Sequence, residues 1–506
     1  MPFREMNREQ MWMLPPTLGE MVPMDHPARF VAEFVDGMKR EDWAELGVDA
    51  DGDPMGAPAY HPRALLSVWL YGFMTGVRST RKLETACRDQ IPYLWLTGSQ
   101  RPDHNTLWRF YKNHRQAMRN LFKRTVRTAF RMELVDLALQ AVDGTKNEAG
   151  EDAPPANLPP ELAGKKALRE RMRQAQETLE GSDRLKQVNL TDQDAVMMKT
   201  NQGITLAYNG QAVVSPVVAE GKETGMLITA AGVSDDPTDY GTLGPMMKQA
   251  EETTGVRAET TLADGGYYSG SNLEECARRG QQVIMPEGQR QALDSLYHKD
   301  RFDYDEANDR YRCPEGRWLS FFRINRGRRT MTRIYRGSVA VCLSCPAFGV
   351  CTKSKRHGRT LKIGPQDAAL RRHRAWMSTE EAKRAYRQRK LLVEPVFGII
   401  KEQLQARSFL LRGLNNVAAE WSLLATAFNL RTLWRIWRTQ APDPEFTNEA
   451  QRRIRPPKHV PDRSQLTNGA GFPTCVTRVI DAATTAYQIL QRIRMMPKRL
   501  AISHAH

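Results

Sequence analysis

The chain has 506 residues, with 74 Lys+Arg against 58 Asp+Glu and a formal net charge of +16. Hydrophobic residues make up 41% and charged residues 26%, enough apolar material for buried cores, which excludes a wholly disordered basic tail protein. At roughly 150 residues per domain the length predicts about three structural units. A sequence pI near 9.6 favours a polyanionic partner, nucleic acid foremost, although a basic protein without such a partner stays open on charge alone. The most apolar uncharged stretch, Ala64 to Val77, is short of the roughly 20 residues that a membrane span needs, so no membrane partner is expected. The opening MPFREMNREQ has no apolar h-region, so no secretory signal is expected. Seven thinly spread cysteines in so large a chain argue against a disulfide framework and for a reducing cytoplasm.

Residues 1 to about 135 read as helical. Pro62 fits a first helical turn, with Leu65, Leu66, Trp69, Phe73 and Val77 following at helical spacing. Asp103 and Asn105 suggest caps for a second helix carrying Leu107, Phe110, Tyr111, His114, Met118, Leu121 and Phe122. Its other face holds Arg109, Lys112, Arg115, Arg119, Lys123 and Arg124, either a solvated surface or a positioning surface for phosphates.

The period then changes. Leu137 to Val142 is a short apolar run predicting a buried strand that ends at Asp143-Gly144. Residues 150–190 read as a loop and an exposed charged helix. Strand-like runs follow at Ile204–Tyr208, Ala212–Val218 and Met226–Val233, the first two joined by Asn209-Gly210, a hairpin signal. A helix over Thr242–Thr254 leads to a strand, Thr260–Ala263, ending at Asp264-Gly265-Gly266. A helix over Gly270–Arg279 and a strand over Gln281–Met285 complete a β-rich α/β core. Residues 287–378 are arginine-rich, cysteine-bearing and read as an insertion. Helices resume over Thr379–Gln405 and Asn415–Trp437, the latter nearly all apolar, and residues 438–506 form a basic tail with one amphipathic stretch around Val476–Met495.

The chemistry points to carboxylates. Asp143 and Asp264 each close a strand beside glycine, an arrangement that suits a divalent cation holding a phosphate, although Asp-Gly is also an ordinary turn dipeptide. Glu394 and Lys401 stand seven residues apart on one helix and share a face, downstream of Tyr386, Arg387, Arg389 and Lys390. Mg²⁺ needs few protein carboxylates, so three acids can hold two ions, with Mn²⁺ as a substitute. Separately, Cys313, Cys342, Cys345 and Cys351 cluster in the insertion. The Cys342-x₂-Cys345 pair has zinc-knuckle spacing, so these four are either zinc ligands or a chance collection. Arginine runs at 323–336 and 353–359 flank them, suited to gripping DNA with or without a metal.

With these motifs the chain resembles the DDE transposases of bacterial insertion sequences. In the amino-terminal part the likeness rests on Asp25-His26-Pro27, Tyr60-His61-Pro62, Gly76 to Glu84 and Arg101 to Thr106, which resemble the helical InsH-type domain. In the core it rests on Val142 to Lys146, Tyr208 to Gln211, Ala263 to Tyr267 and Val393 to Gly398. The resemblance implies an α/β, RNase H-like mixed sheet flanked by helices, with an all-α domain at 1–135. It divides the catalytic fold into 136–286 and 379–437, separated by the Cys/Arg-rich insertion 287–378 and followed by the tail 438–506. It implies that Asp143, Asp264 and Glu394 bind metal and catalyse strand cleavage and transfer, with Lys146 and Lys401 among the DNA contacts. In the related tyrosine–arginine–glutamate–lysine signature, Lys401 has the expected separation from Glu394. Tyr386 and Arg389 lie one residue too far, and Arg387 and Lys390 take the expected spacings. The implied partners are double-stranded DNA, as terminal inverted repeats and target, and a second protomer, in a bacterial cytoplasm at the nucleoid. A non-catalytic DNA-binding relic or repressor, and a metal-dependent nuclease, are the competing readings.

Overall fold

The computed structural model describes residues 16–48, 59–149, 165–180, 192–200, 203–219, 221–287, 296–327 and 331–440. All of them lie in one unit, Met1–Ala441. The expected tail from residue 441 on, with Cys475 and the stretch around Val476–Met495, lies outside the described residues.

The amino-terminal part is a set of helices: α1 (Leu18–Met21), α2 (Pro27–Asp36), α3 (Arg40–Glu45), α4 (Pro62–Met74), α5 (Thr80–Asp89), α6 (Ile91–Thr97) and α7 (His104–Arg131). Pro27 and Pro62 occupy first turns, where a missing N–H leaves nothing unbonded. The preceding His26 and His61 accept, through Nδ1, the Ala28 and Arg63 N–H at 3.2 Å. Asp103 caps α7 by accepting the Thr106 N–H at 2.8 Å. Leu107, Phe110, Met118, Leu121, Phe122 and Val126 then form the buried stripe that the spacing predicts.

A mixed sheet follows: β1 (Leu139–Glu148), then, after helix α8 (Lys165–Glu180), β2 (Val196–Thr200), β3 (Gly203–Ala219) and β4 (Lys222–Ser234). Helix α9 (Leu243–Thr254), β5 (Thr260–Ala263), α10 (Gly270–Arg278) and β6 (Gln282–Ile284) complete it. The order is β2-β3-β1-β5-β6, with β4 also on β3. β1 runs antiparallel to β3 and parallel to β5, and β6 is parallel to β5.

Two sequence expectations are corrected here. β1 does not end at Asp143; it continues to Glu148, with Thr145 and Asn147 buried and Asn147 Nδ2 donating to the Ala406 carbonyl at 3.1 Å. Its second half is a polar strand satisfied by side-chain bonds, which an apolar pattern does not reveal. Nor is Asn209-Gly210 a hairpin. Both residues sit inside the unbroken 17-residue β3, paired to β1 and β4. Gly210 is there because a Cβ would stand 3.3 Å from the Trp421 ring.

A second, antiparallel sheet has the order β11-β10-β9-β8-β7. It contains β7 (Asp303–Asp305), β8 (Arg310–Arg312), β9 (Trp318–Arg326), β10 (Met331–Gly337) and, after α11 (Val339–Leu343), β11 (Thr360–Ile363). Helices α12 (Asp367–Met377), α13 (Glu380–Gly398) and α14 (Leu414–Gln440) complete the described chain.

α14 joins the helical part to the main sheet. The Trp421 indole N–H donates to the Gln211 carbonyl at 2.9 Å. The Asn429 amide accepts from Ile228 N–H and donates to its carbonyl, both at 2.9 Å, and reaches Thr125 of α7 at 3.2 Å. Arg78 and Glu420 form an ion pair at 2.9 Å, with side chains 6% and 2% exposed. Arg78 also donates to the Gln405 and Ser408 carbonyls, and Glu420 accepts from the Leu410 and Leu411 N–H, so both buried charges are hydrogen-bonded as well as paired.

Candidate active site

The register of the main sheet brings the first two acids together. Val142 of β1 pairs with Ala263 of parallel β5, so the next residues, Asp143 midway along β1 and Asp264 just past the end of β5, stand side by side. Helix α13 lies over this pair. Thr379 starts it by accepting the Ala382 N–H, and Leu392, Val393, Val396 and Phe397 are buried, leaving Glu394 on the exposed side. At Gly398 the helix widens into a π-turn, Ile399–Gln403, that carries Lys401. Asp143, Asp264, Glu394, Lys146 and Lys401 all line one cavity of about 620 Å³, joined there by Asp239, Asn209, Lys199 and Arg407.

Arg389 stands between the two aspartates. Its Nη2 is 2.8 Å from Asp143 Oδ2 and 3.9 Å from Asp264 Oδ2, and its side chain is only 11% exposed. Its Nε has no hydrogen-bond partner among the described residues. Burial pushes the Asp143 carboxyl up to about 6; Arg389 opposes this and Asp264 adds to it. Burial also lowers the Lys401 ammonium, against the pull of Asp143. Tyr386 lies beside Arg389, and burial raises its hydroxyl. Of the four cationic and aromatic candidates upstream of Glu394, Arg389 reaches the acids. Arg387 is exposed and turned to Glu380 and the Lys383 carbonyl, and Lys390 is exposed and does not line the cavity. Helical spacing decides this: five residues is 1.4 turns, which swings Arg389 away from Glu394 and toward the two aspartates.

Beneath the acids is a polar network that sequence reasoning missed. Asp239 Oδ1 accepts from Asn209 Nδ2 at 2.7 Å and from Gln211 Nε2 at 2.8 Å. Gln211 Oε1 accepts from Thr242 at 3.3 Å and from the buried Tyr267 hydroxyl. Asp239 is packed against two glycines, Gly144 inside β1 and Gly266 in the turn after β5. A Cβ on Gly144 would stand 3.1 Å from Asp239 Oδ1, and one on Gly266 would stand 2.9 Å from Oδ2. The quoted Tyr208-to-Gln211 motif contained the only hint; Asp239 lies in an acid-rich turn with no pattern of its own.

Asp143, Asp264 and Glu394, among the carboxylates lining the cavity, make a hard oxygen donor set that suits Mg²⁺ or Mn²⁺. The orphaned Asn209 Oδ1 is a further unsatisfied acceptor there. With Arg389 inserted, no three His, Cys, Asp or Glu side chains among the described residues stand close enough to clasp an ion as they are placed. Elsewhere, Cys313, Cys342, Cys345 and Cys351 are free thiols lining one small cavity of about 30 Å³. Backbone N–H groups point at two of them, Arg317 to Cys313 Sγ at 3.2 Å and Arg359 to Cys342 Sγ at 3.4 Å. On α7, Arg109 is exposed and Arg115 half-buried, while Arg124 is engaged by Asp42 and by the Gly37 carbonyl at 2.9 Å. No helix among the described residues is long and apolar enough to cross a membrane.

Two family models match the chain: a transposase DDE domain over residues 312–434 and a transposase domain (DUF772) over residues 16–113. These two matches support a DDE-type insertion-sequence transposase. The DDE match contains Glu394, Arg389, Lys401 and the four clustered cysteines, and stops short of Asp143 and Asp264. No curated protein matches the chain. The family's mixed α/β architecture fits the observed sheet and its covering helices.

Proposed function

We propose that this transposase binds the terminal inverted repeats of its own element and catalyses metal-dependent DNA strand cleavage and strand transfer, with Asp143, Asp264 and Glu394 as the catalytic acids. The observation that carries this reading is the β1/β5 register that sets Asp143 beside Asp264, with Glu394 lining the same cavity. Strands running antiparallel on one side of β1 and parallel on the other support an RNase H-like catalytic fold.

Asp143, Asp264 and Glu394 would hold the divalent cations. Bound there, the ions would activate the attacking oxygen and stabilise the leaving one. Lys146 and Lys401, which both line the cavity, would hold phosphates beside the scissile bond. Arg389 would leave the aspartates and turn to a phosphate, since its guanidinium suits bidentate phosphate contact and its Nε is already unpaired. The Asp239–Asn209–Gln211 network would keep β1 at Asp143 and the turn at Asp264 in register beneath the substrate. In the same reading the insertion's four thiols take up Zn²⁺, which would draw the sulfurs together, and the protein works as a homodimer on paired ends in the bacterial cytoplasm.

The test is purified full-length protein with Mg²⁺ and DNA carrying the element's terminal repeats. Strand-transfer products that vanish in Asp143→Ala are expected. Cleavage without joining would make the protein a nuclease, and binding without cleavage would make it a non-catalytic relic or repressor.

A further inference from the structure

The insertion carries a feature that the catalytic reading does not use. β8 pairs with β9 only over Trp318–Ser320, whereas β9 runs on to Arg326 beside β10. β11 joins β10 only from Arg333 onward. Phe321–Arg326 therefore pairs with Met331–Tyr335 on one side only, leaving the β8-side edge of β9 open, and beyond β11 the outer end, Asn325–Arg326 against Met331–Thr332, is a two-stranded ribbon. Every β9 residue from Ser320 to Arg326 is exposed. Ile334 and Tyr335 are buried and anchor β10, whereas the open, apolar edge of β9 invites association.

The side chains on this ribbon are of two kinds. Phe321, Phe322, Ile324 and Met331 are 40%, 49%, 43% and 53% exposed, large apolar groups left in solvent. The register shifts at Phe322, and the pairing puts Phe321, Ile324 and Arg326 on the face of Tyr335 and Arg333, with Phe322 and Arg323 on the face of Ile334 and Arg336. Arginines lie on the rings: the Arg336 guanidinium is 4.0 Å from the Phe322 centroid, and that of Arg333 is 5.0 Å from the Phe321 centroid. From Ser320 to Gly337 the sequence holds six arginines and no Asp or Glu. Arg333 is paired to Asp309 from outside the ribbon, while Arg323, Arg326 and Arg336 make no ion pair among the described residues. A ribbon of one sign on both faces repels a second copy of itself, so strand addition between protomers is disfavoured, whereas a polyanion is attracted.

We infer that the β9–β10 ribbon is a contact for duplex DNA, with Arg323 and Arg326 on phosphates and the exposed phenylalanines against sugars and base edges. The major groove, about 12 Å wide, admits a two-stranded ribbon such as the outer end of β9–β10. The choice of DNA as occupant rests on the transposase reading; the ribbon's exposure and charge do not.

The experiment measures binding of the full-length protein to a random-sequence 30-bp duplex, by fluorescence anisotropy, across a series of KCl concentrations. Removing two phosphate contacts should lower the slope of log K against log[salt] by about 2, because each contact releases about 0.9 of a counterion. Arg323→Ala with Arg326→Ala is therefore expected to show that lower slope, with a Kd raised about tenfold at low salt, and the double Lys variant should keep the slope. Phe321→Ala with Phe322→Ala should weaken binding several-fold and leave the slope unchanged. Wild-type Kd and slope in both double variants would overturn the inference, as would a single strand bound more tightly than the duplex through the phenylalanines. A DNA-free wild-type dimer that dissociates in the variants would overturn it too, assigning the ribbon to a second copy. Element-end cleavage measured in parallel keeps the two readings apart. Cleavage with ribbon-independent DNA binding removes the ribbon inference alone, and ribbon-dependent binding without cleavage removes the enzymatic reading alone.

Discussion

Arg389 makes the sharpest prediction. Its guanidinium, 2.8 Å from Asp143 and 3.9 Å from Asp264, is the counter-charge to two carboxylates that the proposed chemistry requires for cations. Metal binding must then displace it. A hydrogen bond to a charged group contributes about 1.5–3 kcal/mol net, and 1.4 kcal/mol is tenfold in an equilibrium constant, so displacement weakens metal affinity by about ten- to a hundredfold. Arg389→Gln keeps a side chain of similar length and removes the charge. The full-length variant, titrated with Mn²⁺ by calorimetry or by the Mn²⁺ paramagnetic signal without DNA, should bind about ten- to a hundredfold more tightly than the wild type. Asp143→Asn should abolish this binding in both backgrounds. The pH dependence has a defined sign. The Asp143 carboxyl, at about 6, must lose its proton to bind metal, so affinity rises as pH increases through that value. Without Arg389, which holds the carboxyl down, the rise moves to higher pH. Equal or weaker Mn²⁺ binding in Arg389→Gln would refute the reasoning, because Arg389 would then support the site rather than compete for it.

Three further outcomes are expected. Asp239→Leu removes the acceptor of one Asn209 N–H, whose amide keeps its bond to the Asp236 carbonyl, and of one Gln211 N–H, at about 1–3 kcal/mol for each buried donor; thermal denaturation should show a lower Tm, and Asp239→Asn should recover part of it. Arg78→Met strands the buried Glu420 carboxylate and should cost about 3–5 kcal/mol in urea unfolding, while adding Glu420→Gln to that background should recover stability rather than lose more. Protein purified without chelator should carry about one zinc per chain by elemental analysis, as expected for a closed four-thiolate site. That zinc should be lost in Cys342→Ser with Cys345→Ser; metal-free wild type would remove the zinc assignment.

Much of this was legible in the sequence because apolar pattern and punctuation agreed. Helices α4, α7 and α14 lie close to where their apolar stripes and caps put them, and β5 ends at Asp264 as read. The failures came where polar residues are buried. Thr145 and Asn147 extend β1 past Asp143 because side-chain bonds satisfy them, and Asn209 belongs to a strand because Asp239 accepts its amide. Local dipeptide preference cannot see a partner 30 residues away. Arg389 was harder still. Counting residues back from Glu394 favoured Lys390 and Arg387, but the two aspartates lie off the Glu394 face, and only the packing of α13 on β1 and β5 selects Arg389.

The long-range ties of α14 also bear on the order in which the molecule is made. A ribosome delivers a chain from its amino terminus at roughly 5–20 residues per second, and early segments fold as they emerge. Asp143 and Asp264 leave the tunnel well before Glu394, and the helices around Arg78 appear long before Glu420 supplies the buried counter-charge. Until α14 arrives, β3 and β4 lack the Trp421 and Asn429 bonds that cover them. A nascent or truncated chain thus displays basic, DNA-attracting helices with an incomplete set of acids. Under the proposed function such a chain would occupy DNA before it could cut it, and a prematurely stopped one would compete with the finished protein for the same ends.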